Sequence, residues 1–452
     1  MLCEPSDTIG PSLLLSVRHY WPFIVAVSLL LVLFVAFTLQ SGSRYEAQRQ
    51  DWLERLNQTP GMGATWFSYD EGLFRHSGEL HLSLVDPVSL LTALGLPAQT
   101  GLSQQLAGMG PLELYIRIDS WMLPGYVRSE GRLVSNRGTL ATLLENGQLQ
   151  LGEPTLHWQA RGWSEQMTSQ LDADGITLQL SDSRIHLDPL TITMTQQPDQ
   201  RIQLQWLLNG VNLTQGDNDL ALSGVQGQLT LQPSHDFWLI PDVNLQVAEA
   251  SYRAGEQPPL DLTAATLKGS VKENRQGLLS LVDMHWQGAV ALLGINHHAS
   301  RHELEDLAFG VGLSGIDQQG YKSLVMSAAT NFSDKPSWLA ALNRVTRSGF
   351  HLHLEPFTLR LQQGHFQADG EVTSRPFDMA QLNGLASFRS LLQGALSVEA
   401  DQALAPLFVE DESLLLSMQQ AGFIARNSQG QLNTRLRMVN GKLSANGYKL
   451  PW

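Results

Sequence analysis

One cysteine in 452 residues, Cys3, leaves nothing for a disulfide within the chain, a paired-thiol redox centre or a zinc ribbon. Charge is also scarce, at 16% Asp, Glu, Lys and Arg, against about a quarter in ordinary soluble domains. Basic residues are the scarcer sign, 29 against 43 acidic, for a net charge of −14. A chain of that sign repels phosphate backbones, so nucleic-acid binding is not expected. A hydrophobic fraction of 43% excludes a disordered acidic chain. There is no HExxH, nucleophile elbow or CxxC. With no assembled catalytic motif, the chain is read as a non-enzyme without a cofactor.

Long apolar runs are missing too, with one exception. Trp21–Leu39 has no charge and is close to the roughly 20 residues that cross a bilayer as a helix. Its length and the lack of a strong cleavage site favour an uncleaved anchor over a signal peptide. Arg18 on one side against Arg44, Arg49 and Arg55 on the other argues against export of the body. Long segments, however, translocate largely regardless of charge, and the body's lack of cysteine suits an oxidising compartment. The expected location is therefore the bacterial inner membrane, single-pass, with the body in the periplasm. The divisions expected are a tail at 1–20, the anchor at 21–39, a juxtamembrane helix at 40–57, a strand-rich body at 58–327, and helices with closing hairpins of the same unit at 328–452.

The body alternates polar and apolar residues with a period of two. Leu112–Ile118, Arg201–Trp206 and Phe357–Gln363 show it, as do Ile176, Leu178 and Leu180 between Thr177, Gln179 and Ser181. Turn residues punctuate these runs at Asp172–Gly175, Gln232–Asp236 and Asn427–Gly430. The expected fold is α+β and mainly β, a long, twisted, largely antiparallel sheet with a few late packing helices. Asp86–Leu106 is helix-prone. Ser333 and Pro336 open a helix that Gly349 stops, with Trp338, Leu342 and Val345 in one stripe. A second helix is expected from Asp378 to Gly394, carrying Met379, Leu382, Leu385 and Phe388, and a third from Asp401 to about Gln420. Asn440–Gly441 between alternating runs signals a hairpin.

Two motifs carry a resemblance. In Ser68–Leu84, Tyr69, Gly72, Phe74 and Ser77 lead into a strand, and Asn440–Pro451 carries Gly441, Leu443, Asn446 and Gly447. Both resemble signatures of the YdgA-like family of bacterial envelope proteins, and their order and span agree over essentially the whole body. Members often have a base directly before the glycine, where this chain has Glu71. The resemblance implies an inner-membrane-anchored, periplasm-facing protein of unknown function. A glycine beside aromatics at the entrance to a sheet is read as structural.

Other candidates have plain explanations. His298 and His302, with His297 and Glu303, have a helical zinc spacing but lie between strand-like runs, which favours a solvated turn. His351, His353 and Glu355 share one face of an expected strand, as exposed polar alternation also does. Gly310, Gly312 and Gly315 spell GxGxxG without a helix signature after them, and Asp172, Asp174 and Gly175 suit a hairpin better than a calcium loop. No metal is expected. One asymmetry stands out: residues 421–452 hold Arg426, Arg435, Arg437, Lys442 and Lys449 and no acid. These could meet an anionic surface or pair with acids of the same body. The first functional expectation is a non-enzymatic binding and scaffolding module that contacts an envelope protein or its own copy. The alternative is a β-groove that binds or transfers lipid on an apolar face including Leu178, Leu204, Trp206, Leu229 and Leu359.

Overall fold

The computed structural model describes residues 43–85 and 111–450 apart from 44, 48, 52, 55, 59–60, 73, 153, 162–165, 180–182, 235–236, 256–259, 277–278, 298–299, 330–334, 380–384 and 406–411. The expected anchor and the Asp86–Leu106 stretch lie outside these residues. Among the described residues no helix is long and apolar enough to cross a membrane.

The described residues form one mainly β structure with a 23-stranded sheet. Its first strands are β1 (Met62–Glu71), β2 (Arg75–Leu84), β3 (Leu112–Leu123), β4 (Tyr126–Leu133), β5 (Leu149–Leu151), β6 (Thr155–Arg161), β7 (Gln166–Ala173), β8 (Ile176–Gln179), β9 (Ser183–Leu187) and β10 (Leu190–Gln196). Long strands follow: β11 (Ile202–Gln215), β12 (Asn218–Ser234), β13 (Phe237–Ala254), β14 (Leu260–Gln276), β15 (Leu279–His297) and β16 (Ser300–Asp317). The chain closes with β17 (Phe350–Leu361), β18 (Gly364–Ser374), β19 (Leu392–Ala400), β20 (Ala425–Arg426), β21 (Leu432–Val439), β22 (Lys442–Ala445) and β23 (Tyr448–Lys449). Among the described residues neighbouring strands pair antiparallel, as short hairpin connections require.

All strands except β5, β8, β9 and β20 follow one another in a single line from β1 to β23. At about 4.8 Å per strand that line has a contour of roughly 85 Å. Register shows what faces where. One row of directly opposed residues starts at His76, Ser120, Ser129, Trp158 and Ser169, then runs through Met194, Leu204, Leu229, Val243, Gly269 and Trp286. It continues through Val311, Leu354, Gly370, Leu396, Leu436 and Ala445 to Tyr448. The row one residue along, on the other face, is polar: Gln170, Thr193, Gln205, Gln228, Asn244, Lys268 and Gln287 stand side by side. The period of two in each strand thus adds up to one apolar and one polar face across the sheet.

Aromatic rings lie flat on the apolar face because their cross-strand partners are glycine. Trp206 opposes Gly227, Trp286 opposes Gly269 and Phe309 opposes Gly288. A Cβ at Gly269 would sit 2.6 Å from the Trp286 ring. A crease also crosses the long strands. Gly224, Ala264 and Asp306 have φ of 58°, 51° and 51° and stand at skipped positions of the ladders on alternate strands. Along this line the apolar positions change parity. In β11 the half-buried apolar residues are Ile202, Leu204, Trp206 and Leu208 before it, and Val211 and Leu213 after it.

Helices cover only parts of the sheet. The described residues between 43 and 58 are helical, as expected, and Tyr45 packs with Met122 and Val127 against Trp158 and Ala160. The helices Gln318–Ala329 and Lys335–Arg347 pack on each other and on β16. They bring Tyr321 and Val345 onto Leu239, Val271, Val282 and Ile316. Gly349, with φ of 75°, ends the second helix as expected. The remaining helices differ from expectation. The segment expected to stay helical from Asp378 to Gly394 holds the helix Leu385–Leu391 and then enters β19, because Gly394 and its neighbours pair with Val372 and Met438. Asp401–Gln420 holds a 3-10 turn at Gln402–Leu404 and a helix at Glu412–Gln420. Two helices were not expected. Gly138–Glu145 has a plain arginine N-cap, whereas Gln318–Ala329 starts where Asp317 accepts the Gly320 N–H at 2.9 Å.

Candidate functional site

The structure offers two linked features, an apolar face and a clasp that holds the N-terminal helix at one end of it. In the middle of the face Leu204, Trp206, Leu229, Val243, Leu245, Leu267 and Phe309 are half-buried. The described helices gather toward the two ends of the strand line and one end of the long strands. Of the apolar residues named from sequence, Leu204 and Leu229 oppose each other directly and Trp206 lies beside them. Leu178 lies apart on β8, and Leu359 opposes Phe366 on β17 and β18.

The clasp is polar and aromatic. The Arg49 guanidinium lies 3.9 Å from the Tyr69 ring centroid and 4.9 Å from that of Trp66, while pairing with Glu46 one helical turn away. The Tyr69 hydroxyl is 2.7 Å from His76 Nδ1 and 3.3 Å from Glu46 Oε2. Next to it the Tyr45 hydroxyl bonds Ser120 Oγ at 2.8 Å, and Ser120 bonds Ser129 at 2.7 Å, all three side chains buried. Ser120 and Ser129, two of the serines that interrupt the apolar row, are therefore the ones that receive this tyrosine. Asn57 completes the clasp, accepting the Ala64 N–H at 2.7 Å and donating to the Ala64 carbonyl at 3.0 Å. It thereby satisfies backbone groups on the outer edge of β1.

Electrostatics follow from burial. Burial pushes the His76 imidazole below its ordinary value and the Tyr69 phenol well above its own. Hydrogen bonding from Arg49 holds the Glu46 carboxyl low. The cluster therefore carries a compensated Arg–Glu pair and a neutral imidazole and phenol, an arrangement for holding two elements together.

The first signature folds into this clasp. Tyr69 is its centre. Gly72 makes the turn, donating its N–H to the Arg75 carbonyl at 3.0 Å, and a Cβ there would lie 2.7 Å from that oxygen. Phe74 is 44% exposed, and its carbonyl accepts the Met122 N–H at 2.9 Å. Ser77 lies on the polar face between Asp70 and Asp119. Gly78, which sequence reasoning passed over, is buried under Tyr69 and Trp66, with room for no Cβ. Arg49, Glu46 and His76 were passed over as well, although Glu46 and Arg49 have helical i,i+3 spacing.

The second signature makes two tight turns. Asn440 and Gly441 (φ 49° and 74°) join β21 to β22, and Asn446 and Gly447 (φ 49° and 90°) join β22 to β23. Asn446 Oδ1 accepts the Arg435 N–H at 2.9 Å, and Leu443 is half-buried opposite Met438. Arg426, Arg435, Arg437, Lys442 and Lys449 are all exposed.

The remaining candidates do not assemble into one site. Glu355 bonds His285 Nε2 at 2.7 Å and Gln287 at 2.8 Å, and bonding to Gln287 above all holds its carboxyl low. His351 turns instead to Glu371 at 3.4 Å. Among the described residues no group of three His, Cys, Asp or Glu could hold a metal ion. His302 lies in β16 opposite Ile295, and His298 is outside the described residues. A helix does follow the glycines of GxGxxG, contrary to expectation, but Gly310 and Gly312 are paired in the sheet and form no phosphate loop. Asp172 accepts Thr191 Oγ1 at 2.8 Å beside a hairpin turn at Gly175.

These features define a protein built as one long antiparallel sheet with an apolar and a polar face and a helix clasped to its first strands. The chain belongs to the family described as bacterial protein of unknown function (DUF945), whose model matches residues 22–452. No curated protein and no solved structure matches it.

Proposed function

We propose that this is a YdgA-like, non-enzymatic envelope protein whose apolar face binds acyl chains. In this reading Trp21–Leu39 anchors it in the inner membrane, the body lies in the periplasm, and residues 43–58 hold the sheet's first strands close to that membrane. The observation that carries the reading is the apolar row from Met194 on β10 to Tyr448 on β23, paved by flat rings over glycines in its middle strands. Rings laid over glycines keep that surface low, leaving room above it for a chain-like ligand. Acyl chains suit such a floor because each buried methylene contributes about 0.8 kcal/mol without needing a polar partner. A scaffold working through strand addition has less support, since Asn57 occupies part of the β1 edge and the last strand, β23, has two residues.

The test is lipid extraction and mass spectrometry of the purified full chain, with displacement of a fluorescent fatty-acid probe. Bound phospholipid is expected, and Leu229→Glu with Leu245→Glu should weaken probe binding more than tenfold while the strand circular dichroism is kept. Protein that neither carries lipid nor binds the probe would sink the proposal.

A further inference from the structure

We infer that the closing edge of the sheet, at β21–β23, is a docking surface for an anionic phospholipid bilayer. Arg435 and Arg437 on β21 project to the polar face. Arg437 opposes Ser444, which in turn opposes Lys449, and Lys442 opposes Val439, so the four cations share that face. Arg426 on β20, opposite Leu432, adds a fifth exposed cation on the other face of this edge. Among the described residues no ion pair joins any of the five to an acid. The acids of this face nearest the edge are Glu399 on β19, opposite Asn433 and held by the Asn427 amide at 2.6 Å, and, two strands away across Ser397 and Ala395, Asp369 and Glu371.

The same edge exposes apolar groups. Val439 is 42% and Tyr448 57% exposed. Leu414 and Leu416, at 52% and 56%, project from the helix Glu412–Gln420, whose Leu415 packs on Leu432 of β21. Cations on one face of this edge with Val439 among them, and exposed Tyr448, Leu414 and Leu416 on its other face, match a headgroup layer with acyl chains beneath it. In a chain of net charge −14, β20–β23 carry no acid of their own, and that edge is the one a negative surface would select. This edge also lies at the far end of the strand line from the clasp. One end of the sheet therefore receives the anchor segment and the other meets lipid through its surface. The inference extends the proposed function but rests on surface charge, not on a filled groove.

The experiment is vesicle flotation of the full chain held in neutral phosphatidylcholine nanodiscs. Binding is expected to phosphatidylglycerol-containing vesicles and not to pure phosphatidylcholine, and it should weaken with salt. The triple variant Arg437→Gln, Lys442→Gln, Lys449→Gln should lower apparent affinity on the order of a hundredfold, whereas Arg437→Lys should keep it. Equal flotation of the triple variant and the parent, or no flotation of the parent, overturns the inference. Probe binding in the triple variant separates the two proposals, because loss of docking with the probe still bound leaves the groove reading intact.

Discussion

Two opposite substitutions at the crease test the reasoning about the sheet. Gly224 has φ of 58°, and a Cβ there would lie 2.7 Å from the Ala248 Cβ. Gly224→Ala therefore meets a left-handed backbone cost of about 1–2 kcal/mol. The forced contact adds about 1–3 kcal/mol, offset by about 0.5–1 kcal/mol from removing a flexible glycine. The net expectation is a destabilisation of roughly 2–4 kcal/mol. Ala264 already occupies this conformation at φ 51° and is exposed, so Ala264→Gly relieves the same backbone cost for a net gain of about 0.5–1 kcal/mol. A sheet of this length need not unfold in one step, so the assay is amide hydrogen exchange of β12–β16 read strand by strand. Protection should fall in the first variant and rise in the second. A change of the same sign in both, or no change for Gly224→Ala, would refute the crease.

The clasp yields three further expectations. Tyr45→Phe removes one of the two partners of the buried Ser120 hydroxyl and should cost about 1 kcal/mol, read as faster exchange in residues 43–58. His76 is depressed by burial, so its contribution to docking is complete above the ordinary histidine value and is lost as pH falls through the depressed one. Proteolysis at residues 43–58 should accelerate on acidification below about pH 6, and His76→Gln should flatten that response. An unchanged profile would count against the His76–Tyr69 contact. Asn57→Ala uncovers the Ala64 backbone on β1 and should increase self-association in light scattering at matched concentration, whereas a strictly unchanged mass would show that the edge is guarded elsewhere.

How far the fold could be read ahead depended on the range of each interaction. Strand alternation and the Asn440–Gly441 turn depend on neighbours in sequence, so both were legible. The helix Gln318–Ala329 was missed although Asp317 marks its start, because the glycines before it read as continuing strand. The end of the helix expected at Asp378–Gly394 was misjudged because the pull came from β18 and β21, far along the chain. Within the clasp, Tyr69 stood out through its motif. Arg49 and His76 matter only once a helix is laid against β1 and β2, a contact that local spacing does not specify.

By itself the sequence determined the mainly β class, the hairpin turns, the poverty in thiols and the basic, acid-free last 32 residues. Each follows from local sterics or from simple counting. Tertiary structure decided which residues stand side by side. A one-residue slip in register moves a whole strand's apolar side chains to the other face, and partners such as Trp206 and Gly227 lie on different strands. The apolar row, the glycines beneath its rings, the crease that resets alternation and the gathering of cations on one outer edge therefore exist only in the paired sheet.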